Sequence, residues 1–255
     1  MIHSMYKVTI RPKSSFITNL SSSTIFGAAC WAISDIYGED TLTDVFNDDA
    51  AFAVSNAFIH DYIPTGCHND SKLRNINTNE EILNTLKTFR IDHCQIDRGT
   101  NTSAKQWISY EHFETRDLDI YVSSSMFDTD DIKKIFDVML TKGLGKSRNK
   151  GKGQFSLIGV AEVDLSKLAG KDPNGFMVIS DYIPNERDST IGEYSVRVVN
   201  RKTSDGRVCK PVYVINAGSK FVDKPSVETV GRLQYDEDTG TYLSGRAITI
   251  PIHVE

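Results

Sequence analysis

Leu118–Val163 reads LDIYVSSSMFDTDDIKKIFDVMLTKGLGKSRNKGKGQFSLIGVAEV, and its three parts decide the fold. Leu118 to Val122 is a strand. After it, Ile132, Ile135, Phe136, Met139 and Leu140 recur at helical spacing, with Asp128 or Thr129 as N-cap, Asp130 and Asp131 in the first turn and Lys142 in the last. Gly143 stands where a helix C-cap belongs. Gln154 to Val163 is again a strand, with Phe155 and Leu157 on one face.

Working outward, Tyr6, Val8 and Ile10 alternate with Lys7, Thr9 and Arg11, a strand with one apolar and one polar face. The serines Ser21 to Ser23 then cap a helix whose stripe is Ile25, Phe26, Ala29, Cys30, Ile33, Ile36 and Tyr37. Phe52 to Ile59 is a second strand. The order is β-α-β-β-α-β, the ferredoxin-like (RRM-like) arrangement of an α+β protein, with an insertion of about residues 60–116 between its second and third strands. That insertion holds a polar stretch from Asn69 to Asn79, a short helix near Glu80 to Phe89, and a hairpin through Trp107 to Phe113. An excursion of this length predicts contact with a ligand or partner.

The segment KLAGKDPNG, Lys167 to Gly175, marks a boundary between a first unit, 1–166, and a second, 167–255. Beyond it lie mostly strands: Phe176–Ser180, Tyr194–Asn200, Val212–Asn216 and Ile248–Val254. Asp236–Gly240, DEDTG, is a turn whose carboxylates miss the calcium-loop spacing and are expected to face solvent.

The chemistry concentrates at the helix-to-strand turn. Four glycines lie between Gly143 and Phe155, five cations between Lys142 and Lys152, and no acid between Lys142 and Ala161, in a chain of net charge −5. Glycines let backbone N–H groups approach phosphate oxygens while cations neutralise them, so the turn reads as a grip for a phosphodiester strand. The plainer reading is a solvated basic turn. A GxxxxGK[ST] phosphate loop fails, because five residues separate Gly145 from Gly151 and Gly153 replaces the magnesium-binding hydroxyl. A GxGxxG fingerprint from Gly143 meets Arg148 in place of its third glycine. No GxSxG elbow exists.

With 255 residues, 39% of them hydrophobic, the chain can bury a substantial core. No apolar run approaches membrane-spanning length and the first twenty residues hold Lys7, Arg11 and Lys13 among polar residues, so no signal peptide, no membrane segment and a cytoplasmic address are expected. Cys30, Cys67, Cys94 and Cys209 form no CxxC pair and suit reduced thiols. No Lys or Arg occurs from Ser14 through Ser71, whereas Asp35, Glu39, Asp40, Asp44, Asp48 and Asp49 crowd that region. Such an acidic face orients the molecule on an anionic polymer, meets a basic protein partner, or is simply solvated.

The stretch Tyr6–Asp40, with Ile96–Ser103 (IDRGTNTS), the turn ending GKGQF and Pro211–Phe221 (PVYVINAGSKF), resembles the Cas-five-like RAMP-superfamily subunit that caps the guide RNA in type III-A CRISPR (Csm) effector complexes. The resemblance spans the chain and keeps motif order. It implies two ferredoxin-like modules, the second degenerate and mostly β, around a central groove. It also implies a non-catalytic subunit that holds the crRNA 5′ handle, docks on the large Cas-ten-type subunit and starts the row of backbone RAMP subunits, with neither cofactor nor metal. Matching its glycine-rich loop, 143–153, are Gly145, Lys146, Ser147, Arg148, Lys150, Gly151, Lys152 and Gly153. Ser22, Ser23 and Thr24 sit at a helix N-terminus suited to an anion, or serve as caps alone. Arg98, Thr100, Asn101 and Lys105 match the second polar segment, around which a hairpin wedges between nucleotides, and Ser219 and Lys220 are candidates from the second module. Many members carry a histidine after the Phe-Gly of the first helix; Ala28 stands there in this chain.

Two other readings remain at this stage besides a neighbouring type III subtype. A RAMP-type crRNA-processing endoribonuclease needs a histidine for proton transfer, and none of His3, His60, His68, His93, His112 and His253 has an evident catalytic setting. Cys67, His68, His93 and Cys94 are zinc-ligand types, but their spacing matches no common zinc signature.

Overall fold

The computed structural model describes residues 4–17, 19–67, 72–83, 87–168, 172–186, 188, 191–203, 205–223 and 229–254. In chain order the first half runs β1 (Ser4–Pro12), α1 (Ser22–Tyr37), α2 (Glu39–Asn47), β2 (Phe52–Val54), β3 (Phe58–Ile59), β4 (Tyr62–Pro64), β5 (Lys72–Asn75), β6 (Glu81–Leu83), β7 (Lys87–Asp97), β8 (Thr102–Phe113), β9 (Leu118–Ser124), α3 (Thr129–Thr141) and β10 (Phe155–Glu162). Its main sheet has the order β10-β1-β9-β2, with β3 also on β9 and every pair antiparallel. The alternation read from Tyr6 to Arg11 holds. Tyr6, Val8 and Ile10 pack into one core with Ile25 and Ile33 of α1 and Ile132 and Phe136 of α3. On the other face Lys7 pairs with Asp61, Thr9 bonds Asp119 and Arg11 forks onto Asp117.

Helix α3 starts with a capping box: Asp131 N donates to Asp128 Oδ1 at 2.9 Å while the Asp131 carboxylate accepts from Asp128 N. Helix α1 is capped from a distance. The Ser21 side chain makes no cap bond, and Asn56 Oδ1 accepts from Ser22 N at 2.7 Å.

The second half supplies β11 (Gly175–Val178), β12 (Gly192–Glu193), β13 (Val196–Val199), β14 (Val212–Ile215), β15 (Lys220–Val222), β16 (Thr229–Val230), β17 (Leu233–Asp236), β18 (Thr241–Ser244) and β19 (Ala247–Ile252). They form a five-stranded sheet, β12-β15-β11-β19-β16, and the pairs β13-β14 and β17-β18. Met177, Ile179, Ile248 and Ile250 belong to the same core as β1 and α1, so the two sheets share one interior. The whole is an α+β fold of mostly antiparallel sheets with three α-helices among the described residues, none long and apolar enough to cross a membrane.

Several local expectations are corrected. The short helix expected near Glu80–Phe89 is not found among the described residues: Glu81–Leu83 is β6 on the edge of β4-β5-β6, Lys87–Phe89 opens β7, and 84–86 lie outside the described residues. Part of the polar stretch Asn69–Asn79 is likewise strand, because Leu73 of β5 is fully buried. The hairpin is much longer than Trp107–Phe113, which is only the second half of β8, paired with β7 from Lys87↔Phe113 to Asp97↔Thr102. Phe52–Ile59 is two strands, since Asn56 N turns away to Ile179 O and Ala57 N to Leu20 O. Helix α2 lies in the acid-rich region, set off from α1 by Gly38 at φ +91. Finally, Asp236 is buried and accepts from the N–H groups of Lys210, Asp238 and Thr239, so it builds its turn rather than facing solvent.

Candidate nucleic-acid interface

The glycine-rich loop closes on itself at its base. Leu144 is buried and its N–H donates to Gly153 O at 2.8 Å, while Gly153 N donates to Ser15 O at 2.8 Å. Gly143, Gly145, Ser147, Gly151 and Gly153 all have positive φ, from 61 to 80°. The glycines divide in role: a Cβ on Gly153 would sit 1.9 Å from Leu144 O, whereas one on Gly151 would meet nothing within 4 Å. Gly153 is therefore needed by the fold, and Gly151 leaves backbone open to a ligand. Just before Gly151, Arg148–Lys150 make one 3-10 turn started by left-handed Ser147.

The cations also divide. Lys152 Nζ lies 2.7 Å from Glu111 Oε2 and 3.0 Å from Ser15 Oγ, with the Glu111 side chain buried. This places Lys152 in a structural ion pair rather than at the rim of the loop. Burial pushes the Glu111 carboxyl up, but the hydrogen bonds from Lys152 and Ser15 outweigh it and hold its pKa below the ordinary value. Replacing Lys152 by methionine strands this carboxylate. We expect a loss of roughly 2–3 kcal/mol in urea unfolding at pH 7. Because the folded-state pKa is depressed, that contribution exists above the unfolded value of about 4.3 and disappears as pH falls through the folded one. A Lys152→Met deficit that does not shrink as the pH is lowered toward acid unfolding would rule the ion pair out as its cause.

Lys150 extends to the hairpin, its Nζ 5.7 Å from the ring centroid of Trp107. Directly opposed residues of an antiparallel pair share a face. Phe89/Glu111, His93/Trp107 and Gln95/Lys105 therefore line the hairpin face that looks at the loop. There the His93 and Trp107 rings stack at 5.1 Å and 8°, with Trp107 still partly exposed. Arg98, Thr100 and Asn101 form the tip of the hairpin, tied by Asp97 Oδ1 accepting from Gly99 N and Thr100 N. The loop and the second polar segment are thus joined by one hairpin face. As a stacked pair beside the loop, Trp107 and His93 escaped the sequence reading, which places Trp107 only in a hairpin and His93 only among the zinc-type and catalytic candidates; their signal was the alternation Lys105, Trp107, Ser109, Glu111 in a segment aromatic on both faces.

A second groove, about 290 Å³, runs between α1 and the loop and is lined by Thr24, Trp31, Lys142, Gly145 and Arg148 beside Gly27, Ala28 and Met139. Lys142 Nζ caps the Trp31 ring at 3.1 Å. Thr24 therefore joins the loop, but Ser22 and Ser23 do not. Ser22 is buried with its Oγ accepting from Asp181 N, and Ser23 Oγ donates to Asp181 Oδ2. Ser219 is fully buried, its Oγ donating to Asn216 O, and Lys220 lies in β15 opposite Met177 and Glu193.

Each described histidine has a local partner: His60 Nδ1 at Asp119 Oδ1, His93 Nε2 at Ser109 Oγ, His112 Nδ1 at Thr88 Oγ1 and His253 Nδ1 at Asp172 O. His3 and His68 lie outside the described residues. Of the zinc-type set, Cys67 is buried with its thiol toward Glu193 O, while Cys94 is exposed on β7 beside Ser103 Oγ. Among the described residues His60, Asp61 and Asp119 alone converge within 4.8 Å, and Lys7 Nζ already sits 2.9 Å from Asp61 and 3.8 Å from Asp119.

No family model and no curated protein matches the sequence. Solved structures do match in fold. A chain of the Csm3-Csm4 subcomplex in the type III-A CRISPR-Cas interference complex superposes with a TM-score of 0.64 at 13% identity, over 98% of this chain and 100% of that one. Chains of the Csm1-Csm4 cassette in complex with AMPPNP and with pppApA give 0.60 and 0.61 at 14% and 13% identity, over 100% of this chain and 98% and 99% of those. Csm4 is the component common to these assemblies. The fold is that of the matched chains in these assemblies. Within this fold, β1, α1, α3 and β10 carry the loop, and the long hairpin rises from the segment before β9.

Proposed function

We propose that this chain is a crRNA-binding, non-catalytic subunit of a type III-A CRISPR (Csm) antiviral interference complex, working in the cytoplasm. It holds the 5′ handle of the guide RNA and links the large Cas-ten-type subunit to the backbone RAMP subunits. The single observation that carries the reading is the meeting of the cationic loop with the Trp107/His93 face of the hairpin. A backbone clamp, cations and a stacking platform are what a single-stranded RNA needs, since its bases are splayed rather than read in a groove. The full-length likeness to chains from assemblies containing Csm1, Csm3 and Csm4 supports the choice of complex. In this reading 1–166 is a ferredoxin-like module and 167–255 a degenerate second one. The acid-rich α2 region then suits a basic protein partner.

Replacing Lys146, Arg148 and Lys150 together by alanine tests the grip. We expect weaker binding of a single-stranded RNA and a log-log salt slope shallower by about 2, at roughly 0.7 per lost phosphate contact. Unchanged affinity and slope would remove the loop from the interface. Incubation with repeat RNA separates binding from processing: specific cleavage lost on replacing one histidine would favour the endoribonuclease.

A further inference from the structure

On the face of the main sheet away from α1 and α3, Lys7 of β1 lies opposite Tyr121 of β9 and Thr9 opposite Asp119, so these four side chains share one surface. The chain passes from β3 to β4 through His60 and Asp61 beside it. Adjacent residues of an extended strand point apart, but Asp61 has left-handed backbone at φ +62. His60, Asp61 and Asp119 thereby each bring one ligand atom within 4.8 Å of the others. We infer that this cluster binds one divalent ion of the zinc class, which displaces the Lys7 ammonium. The inference goes beyond the RNA-binding reading and does not depend on it.

The His60 ring is held as metal-binding imidazoles are. Its Nδ1 lies 2.9 Å from Oδ1 of Asp119, a fully buried carboxylate fixed in turn by Thr9 Oγ1 at 2.7 Å and Asp61 N at 2.9 Å. With Nδ1–H donating to that carboxylate, the lone pair of the neutral ring is at Nε2. Nε2 lies 3.5 Å from Asp61 Oδ2, close to the ~3.4 Å that separates two ligands of one tetrahedral zinc. A cation already stands there: Lys7 Nζ is 2.9 Å from Asp61 Oδ1 and 3.8 Å from Asp119 Oδ2. One ammonium serves two carboxylates, one of them buried, whereas a divalent ion compensates both.

Tyr121 points independently to a further ligand. It is fully buried on the surface that carries Lys7 and Asp119, and its hydroxyl has no hydrogen-bond partner among the described residues. Burial first, then the charges of Asp119 and Asp61, push its pKa up, so it stays a donor. A buried donor left open is costly, and a water carried by the ion would accept from it. An imidazole with carboxylates selects zinc over magnesium and calcium, which take oxygen ligands. The His60 and Asp61 side chains are 43% and 25% exposed and that of Lys7 22%, so the ion has a way in and the ammonium a way out. Bound there, the ion ties the start of the insertion to β1 and β9.

The test is calorimetric titration of the EDTA-treated full chain with ZnCl2 and, separately, MgCl2. One zinc should bind per chain, more tightly than magnesium, and raise the melting temperature. His60→Ala should weaken zinc at least about tenfold, and so should Asp61→Asn, which keeps a residue type that tolerates left-handed backbone. Lys7→Met removes the competing ammonium and should tighten zinc about tenfold or more, a gain that a misfolded chain cannot give. Cys94→Ser removes the exposed thiol and should leave zinc binding unchanged. Zinc binding that survives His60→Ala, disappears with Cys94→Ser or fails to tighten in Lys7→Met overturns the site. So does a failure of both wild type and Lys7→Met to bind zinc, and magnesium bound as tightly as zinc overturns the choice of ion.

Discussion

Arg246→Leu should lower the free energy of unfolding by about 3–5 kcal/mol, measured by urea denaturation. The Arg246 side chain is fully buried, and no part of it is idle. Nη1 donates to Val45 O at 2.7 Å, Nη2 to Phe46 O at 3.0 Å and Nε to Asp49 Oδ1 at 3.0 Å. It thus closes the C-terminal end of α2, where carbonyls have no partner within the helix and the dipole favours a cation. Leucine removes all three donors and leaves a cavity, and the two effects add. Lysine keeps the charge but cannot fork onto two carbonyls and a carboxylate, so Arg246→Lys should recover only part of the loss. A change below 1 kcal/mol for the leucine variant would mean that α2 holds its position without this anchor.

Gly153→Ala should cost about 3 kcal/mol, against roughly 1 kcal/mol for Gly151→Ala. Both residues have left-handed backbone, φ +64 and φ +76, so conformational strain is common to the two. The difference is the 1.9 Å approach of a Gly153 Cβ to Leu144 O, against open space at Gly151. An alanine at 153 must break the Leu144–Gly153 hydrogen bond and lift the loop from Ser15. Denaturation of both variants beside RNA titration checks this. The 153 variant should lose stability and affinity together, and the 151 variant should keep most of both. Equal behaviour would show that the loop base tolerates opening.

Strands and helices of the first half outside the insertion were legible where their signals are local. Period two in Tyr6–Arg11, period 3.6 in Ile132–Leu140 and the Asp128 cap each act within a few residues, and the observed strands and helices follow them. The misread Glu80–Phe89 shows the limit of such signals. Its described residues form an edge strand and the root of a long hairpin because Glu81 pairs with Arg74 and Lys87 with Phe113, partners set by the fold. Helix α2 was hidden because what ends it well, Arg246, lies about 200 residues further along the chain.

The sequence alone determined where charge and backbone freedom collect: a basic, glycine-rich turn between a helix and a strand, and an acidic stretch without cations. The tertiary structure alone decided which of those groups are committed. It gave Lys152 to Glu111 and Ser22 to Asp181, kept Gly153 for the loop base, and brought Trp107 to Lys150. Periodicity and capping are properties of neighbours along the chain, whereas the fate of a charge depends on what burial sets beside it, and that partner stands tens to hundreds of residues away.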